Sequence, residues 1–169
     1  SLMQIDVVEA PPGGVGADVL AFAVRDPVAL SGAAEGLDRL VEGRLTRLHE
    51  AGELKGDEGH VALLHTDGRL AAARVAAVGL GKRTLDADRL RTAAAKIAAR
   101  TLEVGGSSIA WIVEDDGLPP DEQGRALVDG TVLGPYENGR WKTTDESRGQ
   151  IERLVLCGPA AGAAGETAE

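Results

Sequence analysis

Near-continuous apolar runs of strand length restrict this chain more than any other feature. Asp18–Val24 (DVLAFAV), Leu70–Val78 (LAAARVAAV), Ser108–Val113 (SIAWIV) and Ile151–Cys157 (IERLVLC) carry little of the apolar–polar alternation of a half-exposed strand. Runs of this kind suit strands covered on both faces, as in a parallel or mixed sheet between helices. Helical patterns fall between them. After Ser31, a candidate N-cap, Leu37, Leu40, Val41, Leu45 and Leu48 keep helical spacing, and Gly52 closes the segment. A second helix is expected from Thr84, its candidate cap, to about Val104, with Leu90, Ala94, Ile97 and Thr101 on one face and Gly105-Gly106 after it. A third is expected over Asp121–Leu133. Gln4–Val8 and His60–Thr66 (HVALLHT) read as further strands, and Asp67-Gly68 signals a hairpin into the Leu70–Val78 run. Alternating strands and helices with one hairpin predict an α/β fold of three layers, a mixed central sheet flanked by helices.

At 169 residues the chain suits one domain and can bury about 70% of its unfolded surface without staples. Aromatics are only 2% of it, so Val, Leu, Ile and Ala must fill the core, and Ala lets helices lie close to a sheet. Eighteen basic against 27 acidic residues give a net charge of −9, which makes nucleic acid a poor default partner. The one cysteine, Cys157, reads as a small buried hydrophobe and excludes an internal disulfide, which fits a cytoplasmic location. No apolar stretch approaches the roughly 20 residues of a membrane span, and no signal peptide is visible. Ser1-Leu2 before Met3 reads as a cloning remnant, and the Ala/Gly-rich residues 158–169 read as a flexible linker.

No complete catalytic or metal constellation emerges. Val78-Gly79-Leu80-Gly81-Lys82-Arg83-Thr84 joins a strand to a helix start, the geometry that cradles phosphate, so Gly79, Gly81, Lys82 and Thr84 are candidate ligand-binding residues. The fingerprints do not match, however. A dinucleotide loop needs Gly at Thr84, and a phosphate-binding Walker loop needs Gly at Ala76 and Ser or Thr at Arg83. His60 and His65 stand five apart on one strand and face opposite ways, while His49 ends a helix, so no zinc set is expected. Gly105-Gly106-Ser107-Ser108 lacks the second glycine of a nucleophile elbow and precedes its strand. Glu114-Asp115-Asp116 reads as a solvated acidic turn, Trp111 as core, and Trp141 as a loop or partner contact.

Gly79-Leu80-Gly81-Lys82 followed by the helix Leu90-Arg91-Thr92-Ala93-Ala94-Ala95 resembles the N-terminal domain of the leucyl (cytosol) aminopeptidases, peptidase family M17. Gly130, Leu133-Gly134, Tyr136 and Trp141-Lys142 resemble a second stretch of that domain, with Asn138 standing where the family often has an aromatic. The likeness spans residues 4–157 and makes 3–157 the expected domain. It implies a macro-domain-like fold that precedes an absent C-terminal catalytic domain. That domain would hold two divalent metal ions, zinc or manganese, and remove N-terminal residues from peptides. The resemblance further implies homo-hexamers of the full-length protein. No catalytic or metal residue carries over to this chain, so an accessory role in assembly or substrate access is expected. Two alternatives are a stand-alone macro-type domain that binds ADP-ribose or a related nucleotide at Gly79–Thr84, and DNA binding, which the resemblance allows for some bacterial relatives and the charge opposes.

Overall fold

A computed structural model describes the backbone of residues 2–137 and 149–168. Six strands form one sheet in the order β1-β6-β5-β2-β4-β3. They are β1 (Gln4–Val8), β2 (Val19–Val24), β3 (Val61–His65), β4 (Arg74–Gly79), β5 (Ser108–Ile112) and β6 (Arg153–Cys157). All neighbours are parallel except β3, which runs antiparallel to β4 at the edge. Helices α1 (Ala33–Leu40) and α2 (Arg44–Glu50) cover one face, packing on Leu20, Phe22, Val75 and Ala77. On the other face lie α3 (Ala87–Glu103), α4 (Pro120–Glu137) and α5 (Ala161–Ala168), against Ala21, Val78, Ile109, Trp111 and Leu154. The expected three-layer mixed α/β architecture is the observed one. The parts of the apolar runs that form β2, β4, β5 and β6 are largely buried because they lie between these two helical layers.

Several boundaries differ from the sequence expectation, each for a local reason. The single helix expected after Ser31 is two. Glu42 (φ 58°) and Gly43 (φ 77°) turn the chain between them, and the Asp38 carboxylate of α1 accepts the amides of Leu45 (2.8 Å) and Thr46 (3.2 Å), capping α2. The N-cap of α1 is Gly32, not Ser31, and that of α3 is Asp86, not Thr84. The Asp86 carboxylate accepts the Arg89 amide at 2.8 Å. The returning strand begins at Arg74, not Leu70. Asp67-Gly68 does turn the chain, with both residues at positive φ, but Ala71 and Ala73 then donate to Gly13 and Ala17 and not to β3. Helix α4 runs past Leu133 to Glu137 through Pro135. Its seat on α3 holds that last turn, since a Cβ at Gly134 would lie 2.8 Å from the Ala95 carbonyl oxygen.

The segment 158–169, expected as a flexible linker, contains α5 with Ala161, Ala164 and Gly165 buried. Small residues let it settle on α4: a Cβ at Gly124 would meet the Ala164 carbonyl oxygen at 2.2 Å. Low side-chain bulk, which reads as disorder in a sequence, here permits close backbone packing. Trp141, Lys142 and Asn138 lie outside the described residues.

At the amino ends of the central strands, Asp18 clamps β2 to β5. Its carboxylate accepts the amides of Ser107 (2.7 Å) and Ser108 (3.0 Å), while the Ser108 hydroxyl accepts the Asp18 amide (2.9 Å). The Ser107 amide, foremost, holds the Asp18 carboxyl below its ordinary value, against partial burial, with help from Ser108 and the charge of Arg74. Cys157 is fully buried, and burial pushes its thiol up to about 12, so it stays protonated and inert at neutral pH.

Two tests follow from this packing. Gly130→Ala would place a Cβ 2.1 Å from the Arg91 carbonyl oxygen of α3. It should cost about 2–3 kcal/mol, a fall of roughly 5–10 °C in thermal midpoint. Asp18→Asn keeps the shape and removes the charge. It should destabilise by about 1 kcal/mol at pH 7. A depressed carboxylate contributes above its unfolded value of roughly 3.9 and loses that contribution as pH falls through its lower folded value, so the gap between variant and parent should close under acid. Denaturant titrations across pH measure this.

Candidate functional site

The carboxyl ends of parallel strands are where open α/β sheets form ligand crevices. Here the loops after β2 and β4 are tied together: the Leu80 amide donates to Val24 (2.8 Å) and the Asp26 amide to Gly81 (3.0 Å). The loop after β5, 113–119, lies across from them. Between these loops opens a cavity of about 340 Å³, lined by Arg25, Ser31, Leu80, Leu85, Trp111, Glu114, Asp116 and Gln123 among others.

Glu114 is the organising side chain. It is half-buried, and its Oε2 accepts the Ala33 amide at 3.3 Å, so a carboxylate from the β5–α4 loop sits at the N-terminus of α1. Gly32 makes room for it, since a Cβ there would stand 2.4 Å from that oxygen. The expectation of a solvated acidic turn therefore holds for Asp115 and not for Glu114. Asp116 pairs with Arg25 at 3.5 Å on the rim. Gln123, buried at the start of α4, donates Nε2 to the carbonyls of Glu114 and Leu118, both at 2.8 Å, and pins the loop. Sequence reasoning missed Glu114 and Gln123 because their partners lie on other elements. Gln123 as a lone amide near a helix start was the one available signal.

The candidate residues Gly79, Gly81, Lys82 and Thr84 fall elsewhere. Gly79 is buried against the 56–59 segment, where a Cβ would meet the Asp57 carbonyl oxygen at 2.0 Å. Gly81 takes φ 78° and donates its amide to Gly56 at 2.8 Å. Lys82 and Thr84 are exposed, and the Thr84 carbonyl accepts from Arg89 at 3.3 Å. Close packing accounts for Gly79 and the positive φ for Gly81, and of this loop Leu80 and Leu85 reach the cavity. The histidines stay apart: His49 bonds the Leu54 carbonyl, His60 the Glu53 carbonyl, and His65 pairs with Asp67. Among the described residues no three His, Cys, Asp or Glu side chains gather as a metal site, and no helix is long and apolar enough to cross a membrane.

A profile of the cytosol aminopeptidase family, N-terminal domain, matches residues 19–145. A probable cytosol aminopeptidase of Alkaliphilus oremlandii is 26% identical over 159 residues, covering 91% of this chain and 32% of that protein. The chain thus spans about a third of the length of such curated relatives. Among solved structures, a tomato leucine aminopeptidase mutant superposes with a TM-score of 0.75 at 21% identity, covering 94% of this chain and 33% of that one. The macrodomain of Trypanosoma brucei, solved with ADP, gives 0.74 at 15% identity over 98% of this chain and 69% of that one. The fold is therefore macro-domain-like.

Removing the Glu114 carboxylate should expose the first turn of α1. Glu114→Ala is expected to cost about 1 kcal/mol. It should also speed hydrogen exchange at residues 33–36 while amides of β2 and β5 keep their protection, as amide exchange read by NMR will show.

Proposed function

Because this chain belongs to the cytosol aminopeptidase family as its N-terminal domain, we propose that it is the non-catalytic accessory domain of a dinuclear-metal aminopeptidase, acting in assembly or in access of peptide substrates. The observation that carries this reading is coverage: nearly the whole chain aligns to about a third of full-length relatives named as cytosol aminopeptidases. Their remaining two thirds would carry the chemistry, and the partner of this domain would be that catalytic domain in the same chain. In such a site two divalent ions, zinc or manganese, clamp and activate the attacking water. The described residues do not fit a metal pair, because their histidines are separately engaged and their carboxylates hold the fold at Asp18, Asp38 and Glu114. Homo-hexameric assembly of the full-length protein and a cytoplasmic location belong to the same proposal.

A second reading is a stand-alone binder of ADP-ribose or a related nucleotide at Gly79, Gly81, Lys82 and Thr84. Its support is the likeness to the macrodomain solved with ADP. Against it stand the engagement of both glycines by the 56–59 segment and the absence of these four residues from the cavity wall.

One preparation separates the readings. The purified chain, supplied with manganese or zinc, should leave leucinamide unhydrolysed and give no heat with ADP-ribose. Turnover of leucinamide would overturn the accessory role. Micromolar ADP-ribose binding that weakens in Lys82→Ala would establish the second reading in its place.

A further inference from the structure

We propose that β1 and α5 form a latch: they open and close together, as one cooperative unit, while the rest of the domain stays folded, and each opening bares the outer edge of β6. The proposal does not depend on the accessory role above.

Burial shows how weakly each element is held alone. β1 is an edge strand, paired to β6 on one side only. None of its five residues is fully buried, and Val7 is 37% exposed, whereas Leu154–Cys157 of β6 are all buried. Helix α5 has eight residues, too few to hold a helix in water without tertiary support. Its buried residues are Ala161, Ala164 and Gly165, which remove little apolar surface from water. Segments with so few buried apolar contacts open at less than the free energy of global unfolding.

Contact between the two elements makes their openings one event. Side chains alternate along β1, so Val7 and the following Glu9 share one face, while Gln4 and Asp6 take the other. The first face meets α5. Val7 lies over Gly165 and Glu9 over Gly162, at both of which a Cβ would find no room. Strand and helix therefore run antiparallel, and the contact extends along the helix. Glu9 also brings a carboxylate to the first turn of α5, where the helix dipole favours negative charge. Helix α5 is held between this face and α4, on which Ala164 rests at Gly124. Without β1, α5 keeps one support of two. Without α5, β1 keeps its pairing to β6 and the Asp6–Arg153 ion pair (2.7 Å), whose side chains are both a third or more exposed. An ion pair so open to solvent contributes little.

What the latch covers is β6. Ile5 stands opposite Leu154, and Val8 opposite Cys157. With β1 withdrawn, the backbone groups of β6 that face it lose their partners, and a free strand edge is a template for another strand. The latch thus decides whether the sheet ends at a half-exposed strand or at a buried apolar one.

Amide exchange read by mass spectrometry, with and without urea, tests the coupling through two variants placed away from the contact. Asp6→Ala removes the ion pair on the face of β1 that α5 does not touch. Ala163→Gly lowers helix propensity at an exposed position of α5. In the parent, residues 4–8 and 161–166 should exchange with one opening constant, ahead of β2 and β5 and with a shallower urea dependence. Asp6→Ala should speed exchange about threefold in α5 as well as in β1. Ala163→Gly should speed it about fivefold in β1 as well as in α5. Acceleration confined to the element that carries the substitution would overturn the proposal. So would exchange of both elements only at the rate of β2 and β5, through global unfolding.

Discussion

Backbone-to-backbone approach of α4 to its two neighbours is the constraint on which the rest of this structure depends. On the α3 side, Gly130 and Gly134 leave no room for a Cβ against Arg91 and Ala95; on the α5 side, Gly124 leaves none against Ala164. The facing surface of α3 is correspondingly slim, with Ala94, Ala95 and Ala98 buried. A chain with four aromatic residues, of which Trp111 is spent against the sheet, has little aromatic volume for a wide interhelical gap, so it closes the gap by bringing the helices together. Once α4 is seated, Gln123 at its start is fixed, and with it the loop whose carbonyls it binds. That loop delivers Glu114 to the N-terminus of α1 on the opposite face of the sheet. The cavity's shape is thus a consequence of helix packing on one face transmitted through two hydrogen bonds and a carboxylate to the other.

Legibility in the sequence follows the range of the forces involved. Strands β2, β5 and β6 were readable because burial on both faces writes itself locally as an uninterrupted apolar run. Helix α3 was readable for the same reason, since its apolar stripe and the glycines after it are contiguous. The break between α1 and α2 was not, because Leu37, Val41 and Leu45 keep a helical period straight through Glu42 and Gly43; the turn depends on Asp38 finding the α2 amides. Helix α5 was hidden by its composition. Ala and Gly carry little hydrophobic signal, yet at a close contact their lack of bulk is what allows burial. Glu114 was hidden by distance, for its partner at Ala33 is 81 residues away in sequence.

The Gly79-Leu80-Gly81 motif shows how one pattern admits two physical origins. A strand ending in glycines before a helix can present amides to an anion, and it can equally let another segment cross at contact distance. Here the crossing segment is 56–60: the Gly79 amide donates to the His60 carbonyl at 2.9 Å and the Gly81 amide to that of Gly56 at 2.8 Å. Amides spent on neighbouring backbone are not available to phosphate. The motif is therefore accounted for by the segment that crosses the carboxyl end of β4, and it needs no ligand to be required.

The same logic applied to the crevice explains why fold likeness is a poor guide to what binds there. Strand order places an opening at the carboxyl ends of β2, β4 and β5 whatever the side chains are. What the opening accepts is then set by a few residues on its loops, and in this chain the charged ones are Glu114, Asp116 and Arg25. A carboxylate at the α1 N-terminus supplies from within the chain the negative charge that the helix dipole would otherwise draw from a ligand. An anion-seeking helix end is occupied in this way by a side chain of the same molecule, without moving any strand.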